Sequence, residues 1–239
     1  MSLLYLIRHG QAGTRDRYDC LSTLGRRQAL LLGEYLAREG VRFDQVWSGA
    51  LARQTQTAES VLGVLAEAAL PHPEPVVDAR WNEFDLDEVY AGIAPQLAAD
   101  DPDFRAYYES LQQALAAGQG EIHRQWTPAD SAVVRAWIHQ RYRFMGESWS
   151  DFGARVRAAG EGPLASAAAG RCVAVFTSAT PVSLTLSRIM PMDPGQIMQL
   201  TGAALNSNLT ILSVNGDRPS LLTFNCVPHL NSPELRTFR

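Results

Sequence analysis

Arg8 and His9 stand side by side, and Gly10 follows at once. A neutral imidazole can act as a nucleophile or a base, and a guanidinium offers the planar fork that suits phosphate oxygens. Glycine lets the backbone turn sharply and come close to a bound group. Two more residues fit the same chemistry. Arg53 falls in the first turn of an expected helix, where a guanidinium and free backbone N–H groups would both favour an anion. Glu83 sits in Arg80-Trp81-Asn82-Glu83-Phe84-Asp85, where Trp81 and Phe84 can partly desolvate the carboxyl group. Desolvation disfavours the charged form, which is what a general acid near neutral pH requires. Asp85 and Asp87 compete for that role. Taken singly, Arg53 reads as a solvated arginine on a helix face, and Glu83 is equally a loop carboxylate.

The elements around these residues give them weight. Five apolar residues, 3–7, read as a buried strand that ends at Arg8 and His9. In open α/β sheets, ligands bind beyond the carboxyl ends of the strands. A polar loop over 13–19 leads to a helix beginning near Ser22, a suitable N-cap, and ending at Gly40. Residues 41–47 read as a second strand, and 51–65 as a helix that carries Arg53 near its start. A proline-rich break is followed by a short strand at Val76-Val77. Residues 173–176 form the clearest second buried strand, with Pro181 at or near the first position of the helix after it. Runs at 209–214 and 221–224 flank Asn215-Gly216-Asp217, a hairpin signal. This alternation predicts an α/β fold, a three-layer α/β/α sandwich with a mostly parallel sheet. The stretch 85–146 differs: it is Ala-rich, helical in pattern and holds Tyr107, Tyr108, Trp126, Trp137, Tyr142 and Phe144. It reads as a helical insertion over the sheet within a single domain spanning 1–239. Its aromatic residues either line an apolar cleft or pack the insertion's own core.

Composition excludes several classes. The chain has 239 residues, 46% hydrophobic and 19% charged, enough for a sizeable core. Net charge is −4 with scattered basic residues, all of them arginine, so no nucleic-acid footprint is present. Cys20, Cys172 and Cys226 are widely spaced, with neither metal-ligand nor disulfide-framework spacing, which suits a reducing compartment. No apolar run approaches membrane-spanning length, and residues 3–7 are too short for a signal core. The expectation is a cytoplasmic protein with no membrane partner; oligomeric state is left open.

In order along the chain, Arg8-His9-Gly10-Gln11, then Leu21-Ser22 through Gly25, Gln28 and Ala29, then 48–58 with Arg53 and Gln56-Thr57-Ala58, then Trp81-Asn82-Glu83 form four blocks. Together they resemble the histidine phosphatase (phosphoglycerate mutase-like) superfamily. Gly146-Glu147-Ser148-Trp149 and the stretch 221–230 are similar to weaker late blocks. The resemblance implies that His9 attacks phosphorus and forms a phosphohistidine. It implies that Arg8 and Arg53 clamp the phosphoryl oxygens, with Gln11 among the binding groups, and that Glu83 protonates the leaving oxygen. It implies a small phosphorylated substrate or phosphate as ligand, with no cofactor and no metal, because the arginines supply the positive charge.

One departure bears on rate. The family places a second His right after the strand at 173–176, and this chain has Ser178 there, followed by Ala179-Thr180 where the family has Gly-Gly. The family's Asn after the first Gly is also missing, with Arg15 near that position. A hydroxyl donates one neutral hydrogen bond, weaker than a charge-assisted one. Losing a preorganised donor costs on the order of a hundredfold in rate. His229 follows a strand and is the first candidate to fill the gap; His72, His123 and His139 read as surface or structural. The expected function is therefore a slow phosphomonoesterase. The alternatives are a catalytically weakened relative that binds phosphate or a phosphoprotein, and a mutase of the phosphoglycerate type.

Overall fold

The computed structural model describes residues 2–13, 19–117, 127–216 and 218–238. Arg15, His123, Trp126 and Asp217 lie outside them. The elements run β1 (Leu3–Arg8), α1 (Thr23–Arg38), β2 (Gln45–Ser48), α2 (Ala52–Glu67), β3 (Val76–Val77), α3 (Leu86–Asp100), α4 (Pro102–Ala116) and α5 (Pro128–Ile138). They continue through α6 (Trp149–Ala159), α7 (Glu161–Ala168), β4 (Cys172–Thr177), α8 (Ala179–Leu186), α9 (Pro194–Ala203), β5 (Leu209–Asn215) and β6 (Arg218–Cys226). The chain divides into two compact units, one of residues 1–83 with 155–239 and the other Phe84–Ala154.

The first unit is built on a six-stranded sheet in the order β3-β2-β4-β1-β5-β6. β1 to β4 pair in parallel, and β5 and β6 add an antiparallel hairpin beside β1. Strand side chains alternate between faces. Tyr5, Ile7, Val46, Ala174 and Phe176 join Ala29, Leu32 and Leu36 of α1 and Ala58, Val61, Leu62 and Leu65 of α2 in one apolar cluster. The alternate residues Leu4, Leu6, Val173 and Val175 are also fully buried, and α7 and α8 contact β4 and β1. Burial on both faces explains why β1 and β4 are almost continuously apolar. The α/β sandwich and the mostly parallel sheet agree with the sequence.

The differences have local causes. β2 begins at Gln45 rather than 41, because Asp44 interrupts the ladder: its N–H donates to the Cys172 carbonyl at 2.7 Å and its Oδ2 accepts from the Cys172 N–H at 2.8 Å. Pro181, expected at or near the first position of its helix, is the third residue of α8; N–H groups throughout a first helical turn lack intrahelical acceptors, so proline is accommodated there. α1 starts as expected, with Ser22 Oγ accepting from the Gly25 N–H at 2.9 Å. A Cβ on Gly25 would strike the Gln11 carbonyl, and one on Gly10 the Gly25 carbonyl. This glycine pair lets the start of α1 sit directly against the turn that follows β1.

The second unit holds α3, α4 and α5. Asp85, one of the carboxylates weighed for acid chemistry, caps α3 by accepting from the Glu88 N–H at 2.9 Å. Trp137 is 2% exposed and packs among Phe84, Trp149 and Phe152, so this tryptophan serves the unit's own core. Among the described residues no helix is long and apolar enough to cross a membrane.

Candidate active site

The parallel strands β1 and β4 lie side by side at the centre of the sheet, where the chain turns toward β2 from one and toward β5 from the other. Such a switch point opens a crevice at the strand ends. β1 delivers His9 there, with its backbone N–H on the Thr177 carbonyl of β4 at 2.9 Å. The imidazole is buried at 3% exposure. Nδ1 lies 2.7 Å from the Gly10 carbonyl, which makes Nδ1 the protonated nitrogen. Nε2 is then the acceptor, and the Arg53 Nε–H donates to it at 3.2 Å. Burial first, then the charges of Arg53 and Arg8, hold the His9 pKa well below 6.5. His9 is therefore neutral at neutral pH, with the lone pair of Nε2 directed toward the guanidinium of Arg53. A tetrahedral electrophile taking that guanidinium's place would meet a nucleophile in its reactive form.

Arg53 is 6% exposed, in the first turn of α2. Its Nη1 donates to Asp19 Oδ1 at 3.0 Å, and Asp19 Oδ2 accepts from the Ala52 N–H, also at 3.0 Å. The next residue, Gln54, is fully buried and donates to Ser178 Oγ at 2.9 Å and to the Trp81 carbonyl at 3.2 Å. Thr177 Oγ1 donates to that same carbonyl at 2.6 Å. These bonds tie the start of α2, the end of β4 and the segment before Glu83 into one network. Ser178 thus lies in the network that holds the site, with its oxygen already accepting from Gln54.

Glu83 is half-buried, and its Oε2 accepts from the Thr180 N–H at 3.1 Å, at the start of α8. A helix start favours negative charge. Arg155 braces the backbone beneath, donating to the carbonyls of Arg80 at 3.0 Å and Asn82 at 2.8 Å. Glu83 is therefore fixed by α8 and Arg155, where the sequence offered only flanking aromatics.

Arg8 takes another direction. Its Nη2 donates to the Phe238 carbonyl at 2.7 Å, and its Nη1 bonds the Ala204 carbonyl. Ala204 caps the end of α9, whose last carbonyls need donors and attract a cation. The Arg8 charge still acts on His9, but its fork is directed toward backbone carbonyls. Gln11 turns to the start of α1: its Oε1 accepts from Ser22 Oγ at 2.7 Å, and its N–H donates to Gln28 Oε1 at 2.7 Å. His229 is buried beside Tyr35, with Nε2 2.8 Å from Ser207 Oγ; burial lowers its pKa to about 4. The Ser207 N–H donates to the His9 carbonyl at 3.1 Å, so His229 backs the His9 main chain while Gln54 engages Ser178. His139 is the exposed C-cap of α5, and His72 Nδ1 lies 3.0 Å from the Pro73 carbonyl. Burial pushes the Cys172 thiol up to about 11, which makes it a poor nucleophile. Sequence reasoning missed Asp19 and Gln54. Asp19 sits at the end of a segment that reads only as a polar loop, and Gln54 has no signal beyond adjacency to Arg53.

Fold and site define an α/β protein with a neutral, buried histidine at the sheet's switch point, hydrogen-bonded by an arginine in the first turn of α2, and a half-buried carboxylate held by the start of α8. The sequence model of the histidine phosphatase superfamily (branch 1) matches residues 4–127 and 118–227, and the chain belongs to that superfamily. A curated relative, the mitochondrial serine/threonine-protein phosphatase Pgam5 of Caenorhabditis elegans, is 27% identical over 158 residues, which is 61% of this chain and 52% of the relative. The chain thus spans about half the length of the curated relatives it matches. Among solved structures, Bacillus stearothermophilus YhfR shares 21% identity at a TM-score of 0.62, covering 96% of this chain and 99% of that one. A phosphoserine phosphatase mutant from Entamoeba histolytica, solved in complex with phosphoserine, shares 17% identity at a TM-score of 0.59, over 96% of this chain and 100% of that one. A mycobacterial glucosyl-3-phosphoglycerate phosphatase with inorganic phosphate shares 20% identity at 0.56, over 95% and 98%. At these identities the structures establish the shared fold.

Proposed function

We propose that the chain is a phosphomonoesterase that works through a phosphohistidine on His9. His9 Nε2 attacks phosphorus, and the bond from phosphorus to the leaving oxygen breaks. Glu83 gives that oxygen a proton, then accepts one from the water that hydrolyses the phosphoenzyme. Arg53 stays protonated and turns its Nε–H hydrogen bond from His9 to a phosphoryl oxygen. Ser178 offers a neutral donor where the family has a second histidine, and Arg8 contributes charge at short range. The helical unit, Phe84–Ala154, is proposed as an insertion of a single phosphatase domain. The observation that carries the reading is the fixed tautomer of a buried histidine, with Nδ1 on Gly10 and Nε2 on Arg53. Membership of the superfamily supports it, as do the phosphatase names of the relatives and structural neighbours.

A second reading, a phosphate-binding relative with weakened turnover, draws support from Ser178 and from the Arg8 fork on carbonyl oxygens. An aryl phosphate assay separates the two. The phosphatase reading expects slow metal-independent release of the phenol by wild type and none by H9A. Phosphate binding without turnover in wild type favours the binder.

A further inference from the structure

We infer that Asp19 is an affinity-determining residue: its carboxylate occupies the position of the incoming phosphoryl oxygens, and substrate binds by exchanging with it. The inference rests on the reading of Arg53 as the phosphoryl clamp. Asp19 places one oxygen on Arg53 Nη1 and the other on the Ala52 N–H, each at 3.0 Å. A phosphoryl group docked on a guanidinium beside a helix start would use these same two donors. The carboxylate therefore mimics the ligand. Its side chain is 54% exposed while that of Arg53 is 7% exposed, so the carboxylate has water to move into and the guanidinium does not. If Asp19 stayed, its negative charge would lie against the phosphoryl oxygens and oppose them. The same exchange acts in reverse after turnover: the returning carboxylate expels inorganic phosphate from the pocket.

A carboxylate that only orients Arg53 would have the opposite signature, because losing it would loosen the clamp and weaken anion binding. Calorimetric titration of the full chain with inorganic phosphate separates the two. Wild type, D19N, D19E and R53Q are compared, with E67Q, exposed at the opposite end of α2 from Arg53, as a control. D19N is expected to bind phosphate about three- to tenfold more tightly, the range of a half-exposed ion pair plus relief of like-charge repulsion. D19E keeps the charge and is expected to stay near wild type, as is E67Q. Steady-state kinetics of D19N should show a lower KM, with kcat unchanged or reduced because product leaves more slowly. Unchanged or weaker phosphate binding in D19N overturns the exchange, and so does D19E matching D19N. Wild-type affinity in R53Q instead overturns the clamp itself, whatever Asp19 does.

Discussion

Replacing Arg53 by methionine should nearly abolish activity while leaving stability almost unchanged. Methionine keeps much of the side-chain length and removes the charge. The loss of a preorganised charged donor at the phosphoryl group is worth about 2.7–4 kcal/mol, a fall of roughly a hundred- to a thousandfold in kcat. The stability terms oppose one another. The pair with half-exposed Asp19 contributes at most about 1 kcal/mol. Leaving His9 Nε2 as a buried acceptor without Arg53 costs about 1–3 kcal/mol. Against these, a guanidinium 6% exposed no longer has to be desolvated, a relief of several kcal/mol. The net change should lie within about 1 kcal/mol. Arg53 is also the larger of the two charges holding the His9 pKa down, so the imidazole should titrate at higher pH in the variant. Aryl phosphate kinetics, urea denaturation and NMR of the imidazole read the three effects. A loss of more than about 3 kcal/mol of stability with activity retained would show that Arg53 holds the fold and does not clamp substrate.

Three further outcomes follow. S178H inserts an imidazole where Ser178 is 1% exposed; it should raise kcat/KM by at least about tenfold in the aryl phosphate assay and cost about 1–3 kcal/mol by crowding, read by urea denaturation. Equal or lower activity in a folded S178H would remove the account of slow turnover. Both buried histidines resist protonation in the folded state, so stability is full above pH 6.5 and is lost as pH falls toward their folded pKa values. For His229, at about 4, the loss between pH 7 and 5 amounts to about 2 kcal/mol, and H229Q should flatten the decline in urea midpoint by that amount. G25A places a methyl group against the Gln11 carbonyl and should cost more than about 2 kcal/mol, seen as a lowered thermal midpoint.

Much of the fold was legible because its signals are local. The apolar run of β1 stops at Arg8, Ser22 caps α1, and the apolar spacing of α2 is helical. The signal for α9 is local too: Asp193-Pro194-Gly195-Gln196 is a capping box with proline at the helix start. β2 was legible as a strand but its late start was not, because Asp44 is held by Cys172, far along the chain. The site divides in the same way. His9 stands just past the end of a strand and Arg53 at the start of a helix, which periodicity locates, while Glu83 lies in a loop marked only by its Trp81-Asn82-Glu83 motif. The direction of the Arg8 fork depends on the carbonyls of Ala204 and Phe238, and the grip on Arg53 depends on Asp19; no spacing rule reaches those distances. Gln28 shows the same limit: its amide holds the Leu235 carbonyl and Thr237 Oγ1, fastening the last turns of chain beside the β1 turn.

The account turns on one atom, Nε2 of His9. Rapid quenching of enzyme mixed with excess aryl phosphate, followed by peptide mass spectrometry and phosphorus NMR under alkaline conditions, identifies the phosphorylated atom. The expected result is a transient phosphoryl group on Nε2 of His9, since Nδ1 is held by the Gly10 carbonyl. Turnover with no phosphoenzyme, or a phosphoryl group on Nδ1 or on another residue, would contradict it.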